Sequence, residues 1–458
     1  MPAPERNAAD TLDVTAVIDR GDLGGFQVRI VVLCGLVALL DGADTTSIAI
    51  AAAAMASKLG VPTSDFGLIF SAGTLGAMLG AMAFGPLADR FGRKRLLLIA
   101  TVTFGVFTLL TAHADTYGHL MACRLLAGIG LGGATPCFLA LVSEYVPSRM
   151  RGSAVAALWA AFPLGIMLGG FLNSYLVAAL GWESVFHVGG ALPILLTAIL
   201  ALTLPESLQF LILRRGDAAK ATAIVGRLAP GSAGTTVRLA VTSQQVPGIP
   251  VKQLFAEGRA ASTLLLCVPF FMAFGGLAVV VFFTPSLLRS AGVPAAASAG
   301  ALVNGFHGLS SLVGMAAAGR LIDRYGPSLT LGTGLVLGAV CTVLLGFGVS
   351  TLALAASATA LVGLFLGIAG SGSIAIAALI YPTAIRATGI GWGIGMGRGG
   401  QVVLPLIASW LLTQGDGQDM LLVIAAMLMT SVVAVLLLGR STGQTRLAVA
   451  TGPATASP

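Results

Sequence analysis

Charge is what this sequence has least of. Only 9% of its 458 residues are Asp, Glu, Lys or Arg, where a soluble domain carries roughly a quarter. Such a chain cannot cover a large globular surface with groups that water solvates. Histidine occurs four times and cysteine five times. The cysteines (Cys34, Cys123, Cys137, Cys267, Cys341) are scattered singly through apolar stretches without CxxC spacing. They form neither a metal knuckle nor a disulfide frame and read as small packing residues. There is no HExxH, no GxxxxGK[ST] loop and no dinucleotide fingerprint in a strand–helix setting. ATP-driven chemistry is without support, and no cofactor or metal is expected. Residues 1–27 are polar without an apolar core, which is not the pattern of a secretory leader.

What the sequence does have is apolarity, at 56% hydrophobic residues. It falls in repeated runs near the roughly 20 residues that cross a bilayer. In lipid such runs must be helices, because every backbone donor and acceptor has to be satisfied within the segment. Twelve spans are expected, at 28–50, 66–86, 96–112, 119–141, 152–176, 183–204, 261–284, 296–318, 328–349, 353–380, 388–412 and 419–438. Glycine is frequent (61 residues), and Gly76-xxx-Gly80 has the small-residue spacing that lets membrane helices approach closely.

With both termini cytoplasmic, 21 of the 25 Lys and Arg fall on that side, Lys58 and Arg289 fall outside, and Arg124 and Arg398 lie within spans. That is the positive-inside bias. It explains the net charge of +7 as topology and argues against a nucleic-acid partner. Arg outnumbers Lys 21 to 4, which suggests a GC-rich bacterial genome and a bacterial inner membrane.

The longest polar stretch between spans, 205–260, divides them six and six, and the halves echo each other. Gly85-Pro-Leu-Ala-Asp89-Arg90-Phe91-Gly92 has a counterpart in Gly319-Arg-Leu-Ile-Asp323-Arg324-Tyr325-Gly326, at an offset of 234. Pro147-Ser-Arg-Met-Arg151 has one in Pro382-Thr-Ala-Ile-Arg386, at an offset of 235. A duplicated six-helix unit follows. The expected layout is a tail (1–27), a bundle (28–204), a cytoplasmic loop (205–260), a second bundle (261–438) and a second tail (439–458).

The segment Gly85–Arg95 resembles the loop signature of the major facilitator superfamily, and Arg124-xxx-Gly128-x-Gly130-x-Gly132 resembles a second. The resemblance spans nearly the whole chain. It implies two pseudo-symmetric six-helix bundles that rock about a central site near the midplane. Asp41-Gly-Ala-Asp44-Thr45, Ser143-Glu144-Tyr145, Leu204-Pro-Glu-Ser207 and Tyr381-Pro-Thr-Ala-Ile-Arg386-Ala-Thr-Gly389, followed by Gly397-Arg398, narrow it further. Together they resemble the aromatic acid:proton symporters. That implies import of a benzoate-like or hydroxybenzoate-like acid with protons, and a monomer in the bilayer as the working unit. The sequence departs from that pattern at Ala43, at Pro136-Cys137 and at Phe282, Phe283 and Pro285. The rivals are carriers of other organic acids or sugar-like solutes, drug exporters, a membrane sensor and a channel. Pro163-Leu-Gly165 before Gly169-Gly170 differs in order from the exporter pattern, and neither a soluble output domain nor a filter loop is present.

Charged groups inside spans cost roughly 2.5–3.5 kcal/mol each on insertion scales, so each needs a reason. Asp41 and Asp44 share a helical face one turn apart and form a coupled pair for proton exchange; packing against Thr45 and Thr46 is the alternative. Arg398 is too deep in its span to snorkel. It is expected to grip the substrate carboxylate with two parallel hydrogen bonds or to pair with one of the acids. Arg124, nearer its span's end, either binds substrate or snorkels. His307, with Asn304 a turn earlier, is a candidate for substrate contact, and so are Trp159 and Phe162 (with Phe171) for stacking a ring. Asp89, Arg90, Arg93 and Glu144, with Asp323, Arg324 and Arg386, are candidates for a conformational latch at the cytoplasmic face.

Overall fold

The computed structural model describes residues 11–212, 217–228, 238–240, 250–256, 258–348, 351–381 and 385–450. Twelve long helices carry the fold. They are α1 (Gly25–Leu59), α2 (Phe66–Phe91), α3 (Arg93–Thr111), α4 (Tyr117–Tyr145), α5 (Ser148–Leu180) and α6 (Glu183–Thr203), then α7 (Ala260–Ser290), α8 (Ala296–Tyr325), α9 (Pro327–Gly348), α10 (Leu352–Ile380), α11 (Arg386–Gln414) and α12 (Gly417–Ala450). Eleven of them are long and apolar enough to cross a membrane. α11 is not among those eleven; its run from Gly389 to Gly400 is rich in glycine and contains Arg398.

The helices overrun the expected spans. α1 has 35 residues, a length of about 52 Å, against the 23 counted from apolarity. Hydropathy sees only the part that needs lipid, whereas the hydrogen-bonded ladder runs on until a glycine ends it. For α1 that glycine is Gly60, in the left-handed conformation at φ 66°.

The architecture departs from an all-helical one at a single place among the described residues. Thr11–Asp13 pairs in parallel with Arg238–Ala240, tying the N-terminal segment to the central loop. A short helix, Val14–Arg20, follows. Val14 and Ile18 are buried in one apolar cluster with Leu208, Leu211, Ala221 and Val225. The stretches 1–27 and 205–260, expected as polar tail and loop, thus contain ordered helices.

Helix packing repeats between the halves. α1 packs on α5, α2 on α4, α3 on α4 and α6; six helices later, α7 packs on α11, α8 on α10, α9 on α10 and α12. Between halves the main contacts are α5 with α8 and α2 with α11, which exchange under the same six-helix shift.

The α2–α4 crossing shows why glycine is needed. A Cβ on Gly76 or Gly80 would run into the Leu125 or Ile129 carbonyl of α4; one on Gly128 or Gly132 would run into the Gly73 or Ala77 carbonyl of α2. The backbones touch, which is how helices gain packing where lipid offers no hydrophobic drive. Gly132→Leu is expected to destabilise the protein by at least about 1–3 kcal/mol, the usual cost of overpacking. A lower unfolding midpoint in detergent, with less protein in the membrane, checks this.

The start of α1 and the end of α12 lie at one end of the bundle, called here the tail end. At the opposite, far end the halves are sealed. Ser71 Oγ donates to Val402 O at 2.7 Å, and Ser174 Oγ donates to Ser298 O at 2.9 Å. Phe70 stacks on Phe282 with centroids 4.6 Å apart, and Phe171 meets Phe306 edge-on. Among the described residues, no hydrogen bond or ring contact joins the halves closer to the tail end than Asp41 and Arg398.

Candidate functional site

The two carboxylates of α1 do not act on one cation. Asp44 faces Arg124 of α4, whose Nη1 lies 3.4 and 3.3 Å from its two oxygens. Arg124 also donates from Nε and Nη2 to Thr111 Oγ1 and from Nη2 to Thr108 Oγ1. Its guanidinium lies 5.4 Å from the Phe186 ring centroid, and its side chain is 3% exposed. Arg124 therefore does not snorkel. All of its partners belong to α1, α3 and α6, within the first half, and a planar guanidinium held on several sides has little freedom to move.

Asp41, one turn earlier, pairs with Arg398 of α11 at 3.3 Å. This pair bridges the two halves. Among the described residues Arg398 has one further partner, Gln401 Oε1, at 3.4 Å, and a side-chain exposure of 19%. The pairs differ in kind. One is saturated with hydrogen bonds inside a half. The other joins the halves, has the more exposed guanidinium and leaves most of its donors free for a ligand.

Two cavities meet at Arg398. One is lined by Asp41, Asp44, Arg124, Thr45, Thr74 and Arg398. The other, the larger, is mostly apolar, with Trp159 and Phe162 of α5, Phe274 and Phe282 of α7, and Arg398 and Gln401. A charged end adjoining an aromatic-lined chamber fits an anion with a flat apolar body. Phe171 does not face the cavity; it packs on Phe306 in the far-end seal.

His307 and Asn304 line neither cavity. Both are fully buried. Asn304 Nδ2 donates to Val281 O at 3.0 Å, and His307 Nδ1 lies 3.1 Å from Thr359 O. Ser311 and Met315, on the same face of α8 and nearer the tail end, do line the larger cavity. Position along the helix separates the two sets. Gly308 abuts the α5 backbone at Pro163 and Met167, and His307 and Asn304 lie beyond that closure.

At the tail end of the first half the latch candidates form a cluster. Arg93 bonds Asp89 at 3.2 Å, pairs closely with Glu144 and reaches Gln209 at 3.5 Å. Ser207 Oγ donates to Glu144 at 2.7 Å. Glu206 Oε1 accepts from the Lys94 and Ser207 amides, each at 2.9 Å. Arg90 stays outside the cluster, exposed over Phe91.

The second half is different. Asp323 and Arg324 are exposed, Arg324 lies over Tyr325, and Arg386 Nε donates to Tyr381 O at 3.4 Å. Among the described residues none of the three enters an ion pair. At the repeat offsets, Pro327 stands where Arg93 does and Leu379 where Glu144 does, so the central cation and its buried acceptor are both missing. Residues 382–384 of that motif lie outside the described residues.

Sequence reasoning gave no role to Thr108, Thr111, Gln401 or Glu206. The i, i+3 spacing of Thr108 and Thr111, and of Arg398 and Gln401, is the signal that places each pair on one face.

Comparison with known proteins agrees with this architecture. The sequence profile of the Major Facilitator Superfamily matches residues 34–327 and again 295–457. The chain is 35% identical to the 4-hydroxybenzoate transporter PcaK of Pseudomonas aeruginosa, over 91% of this chain and 93% of that one. It is 34% identical to the gallate transporter of Pseudomonas putida, over 90% and 91%. A solved structure of the xylose transporter XylE from E. coli, in a partially occluded inward open conformation, superposes with a TM-score of 0.69 at 18% identity, covering 91% of this chain and 99% of that one.

Proposed function

The chain belongs to the Major Facilitator Superfamily, and on that premise we propose that it imports a small aromatic carboxylic acid together with protons by alternating access. One observation carries the reading. Arg398 is paired with Asp41 across the two halves, where a polar cavity adjoins an aromatic-lined one. Its similarity to a 4-hydroxybenzoate transporter and a gallate transporter supports an acid of that class.

In the proposed cycle the substrate carboxylate displaces Asp41 from Arg398, and the ring lies between Trp159 and Phe162 on one side and Phe274 and Phe282 on the other. Asp41, losing its cation in a low-dielectric site, takes a proton; a carboxylate left buried and unpaired would be costly. When the acid leaves, Arg398 recaptures Asp41 and the proton departs. The substrate carboxylate and Asp41 thus exchange places on one guanidinium, and the proton rides on Asp41 while the substrate is bound. Asp44 and Arg124 form the fixed pair against which the other moves, so Asp41 is the proton-carrying acid of this proposal.

The energetics require a proton. Carrying one negative charge into a cell costs about 2.3 kcal/mol per 100 mV. One proton removes that cost, and a second makes the potential favourable.

The setting proposed is a bacterial inner membrane, with both termini cytoplasmic as the positive-inside bias places them and with one chain as the unit. The far-end seal then faces outward and the cavities belong to an inward-facing state. The Arg93 cluster, confined to one half, locks α2, α3 and α4 to the central segment while the halves rock. Glu144→Gln is expected to cut the maximal uptake rate about tenfold or more, the worth of a charge-assisted hydrogen bond, with a smaller effect on KM; initial-rate kinetics at matched protein levels check this.

The decisive test of the overall reading is uptake of a labelled aromatic acid panel by proteoliposomes with and without an uncoupler. Accumulation that the uncoupler abolishes supports it. Accumulation untouched by the uncoupler, or transport of none of the acids, overturns it.

A further inference from the structure

Four hydroxyl side chains line the larger cavity: Thr45, Thr74, Ser311 and Ser371. Three have already given their proton to the backbone. Thr45 donates to Asp41 O at 3.0 Å, Thr74 to Phe70 O at 3.2 Å and Ser311 to Gly363 O at 2.9 Å. Ser371 has no hydrogen-bond partner among the described residues.

This is unusual for its position. A serine within an apolar helix ordinarily bonds the carbonyl a turn back, as Ser373 does on the same helix, at 3.0 Å from Ala369 O. Ser371 instead stays half-buried at the cavity wall. Its neighbours Gly367 and Gly370 line the same wall without side chains, leaving α10 flat there. The Phe274 ring lies 3.8 Å from where a Gly370 Cβ would sit, so that flat strip adjoins an aromatic face.

The half-buried Ser371 hydroxyl is open to the cavity and unengaged by the protein, so it is available to a ligand there. The ligand's chemistry follows from what is open. A spent hydroxyl can only accept, and the Gln401 amide, a turn from Arg398, belongs to the carboxylate end. Ser371 can donate and accept together. A phenolic hydroxyl likewise both donates and accepts, so the two match in either direction.

We propose that Ser371 is a specificity-determining residue, selecting aromatic acids that carry a ring hydroxyl over those that do not. The proposal rests on reading the cavity as an aromatic acid site, with Arg398 holding the carboxylate and the ring reaching the α10 wall. Ser371 thereby adds selectivity to a site whose anchor is elsewhere. A pocket built to bond a hydroxyl discriminates against the analogue lacking it, because the pocket's own polar group is left unpaired.

The test measures KM for 4-hydroxybenzoate and for benzoate in proteoliposomes, for the native protein and for Ser371→Ala. The ratio of the two KM values is expected to move about 3- to 10-fold against 4-hydroxybenzoate in the variant, the worth of one neutral hydrogen bond. A second measurement needs no variant: 4-hydroxybenzoate should displace labelled benzoate from the native protein at lower concentration than 4-fluorobenzoate, which cannot donate. A ratio unmoved by Ser371→Ala overturns the proposal, as does a native protein that prefers the fluoro compound. Should the variant fail to insert, the competition in the native protein decides alone. A native protein that carries benzoate but rejects 4-hydroxybenzoate sinks the role of Ser371 and leaves the aromatic acid reading standing; one that carries neither sinks both.

Discussion

Replacing Arg398 by lysine is expected to raise the KM for the aromatic acid about 10- to 100-fold, the worth of a hydrogen bond to a charged group. Lysine keeps the positive charge, so Asp41 retains a cation and the fold is spared an unpaired buried carboxylate. What it removes is the planar fork. An ammonium offers a point charge where a guanidinium offers two parallel donors to a carboxylate. The substitution therefore separates geometry from charge, which Arg398→Ala does not: alanine would leave Asp41 buried and uncompensated, at about 3–5 kcal/mol. The measurement is concentration-dependent uptake at matched protein levels. A KM close to the native value means that Arg398 does not grip the carboxylate bidentately, and the displacement step then has no basis.

The second large effect is expected for Asp41→Asn. Asparagine preserves shape and removes the proton site. Uptake against a gradient should disappear, because the acid would have to enter as a bare anion. At a potential of 100 mV, negative inside, that cost corresponds to exclusion by about 50-fold. Exchange of internal for external substrate should persist, since it moves no net charge and needs no proton. Affinity should rise as well, because the substrate no longer competes with a carboxylate for Arg398. Counterflow assays distinguish this from simple misfolding. Retained accumulation in Asp41→Asn would shift the proton to another group, with Asp44 the first to examine.

Much of the fold was legible because lipid permits so little. Long apolar runs in a bilayer have no alternative to helix, and the echo between Gly85–Gly92 and Gly319–Gly326 announced two halves. The Thr11–Asp13 pairing with Arg238–Ala240 was not legible. Three-residue strands leave no periodicity, and their pairing crosses more than 220 positions. At the site, the membrane cost of charge drew attention to Asp41, Asp44, Arg124 and Arg398, and the structure places all four around one cavity.

How they pair was beyond the sequence. The spacing of Asp41 and Asp44 puts them on one face but cannot say that each finds its own arginine, one within its half and one across the interface. Arg124 was ambiguous because counting residues from a helix end gives depth and not the direction a side chain turns. Thr108, Thr111 and Phe186 settle that direction. His307 shows the converse. It shares a face with cavity-lining residues, yet lies beyond the point where α5 closes on α8, and axial position against another helix is not written in either helix alone. The difference between the tail-end clusters could have been read in advance from Pro327 and Leu379, which replace Arg93 and Glu144 at the repeat offsets.

If the substrate carboxylate takes the place of Asp41 on Arg398 while Asp41 takes up a proton, internal pH must change with uptake. Purified protein is reconstituted into vesicles holding a pH-sensitive dye, the potential is clamped, and an aromatic acid is added outside. Lumenal acidification is expected to track uptake of the acid, to exceed that of protein-free vesicles and to be absent in Asp41→Asn. Uptake by the native protein with no acidification beyond the protein-free control would contradict it.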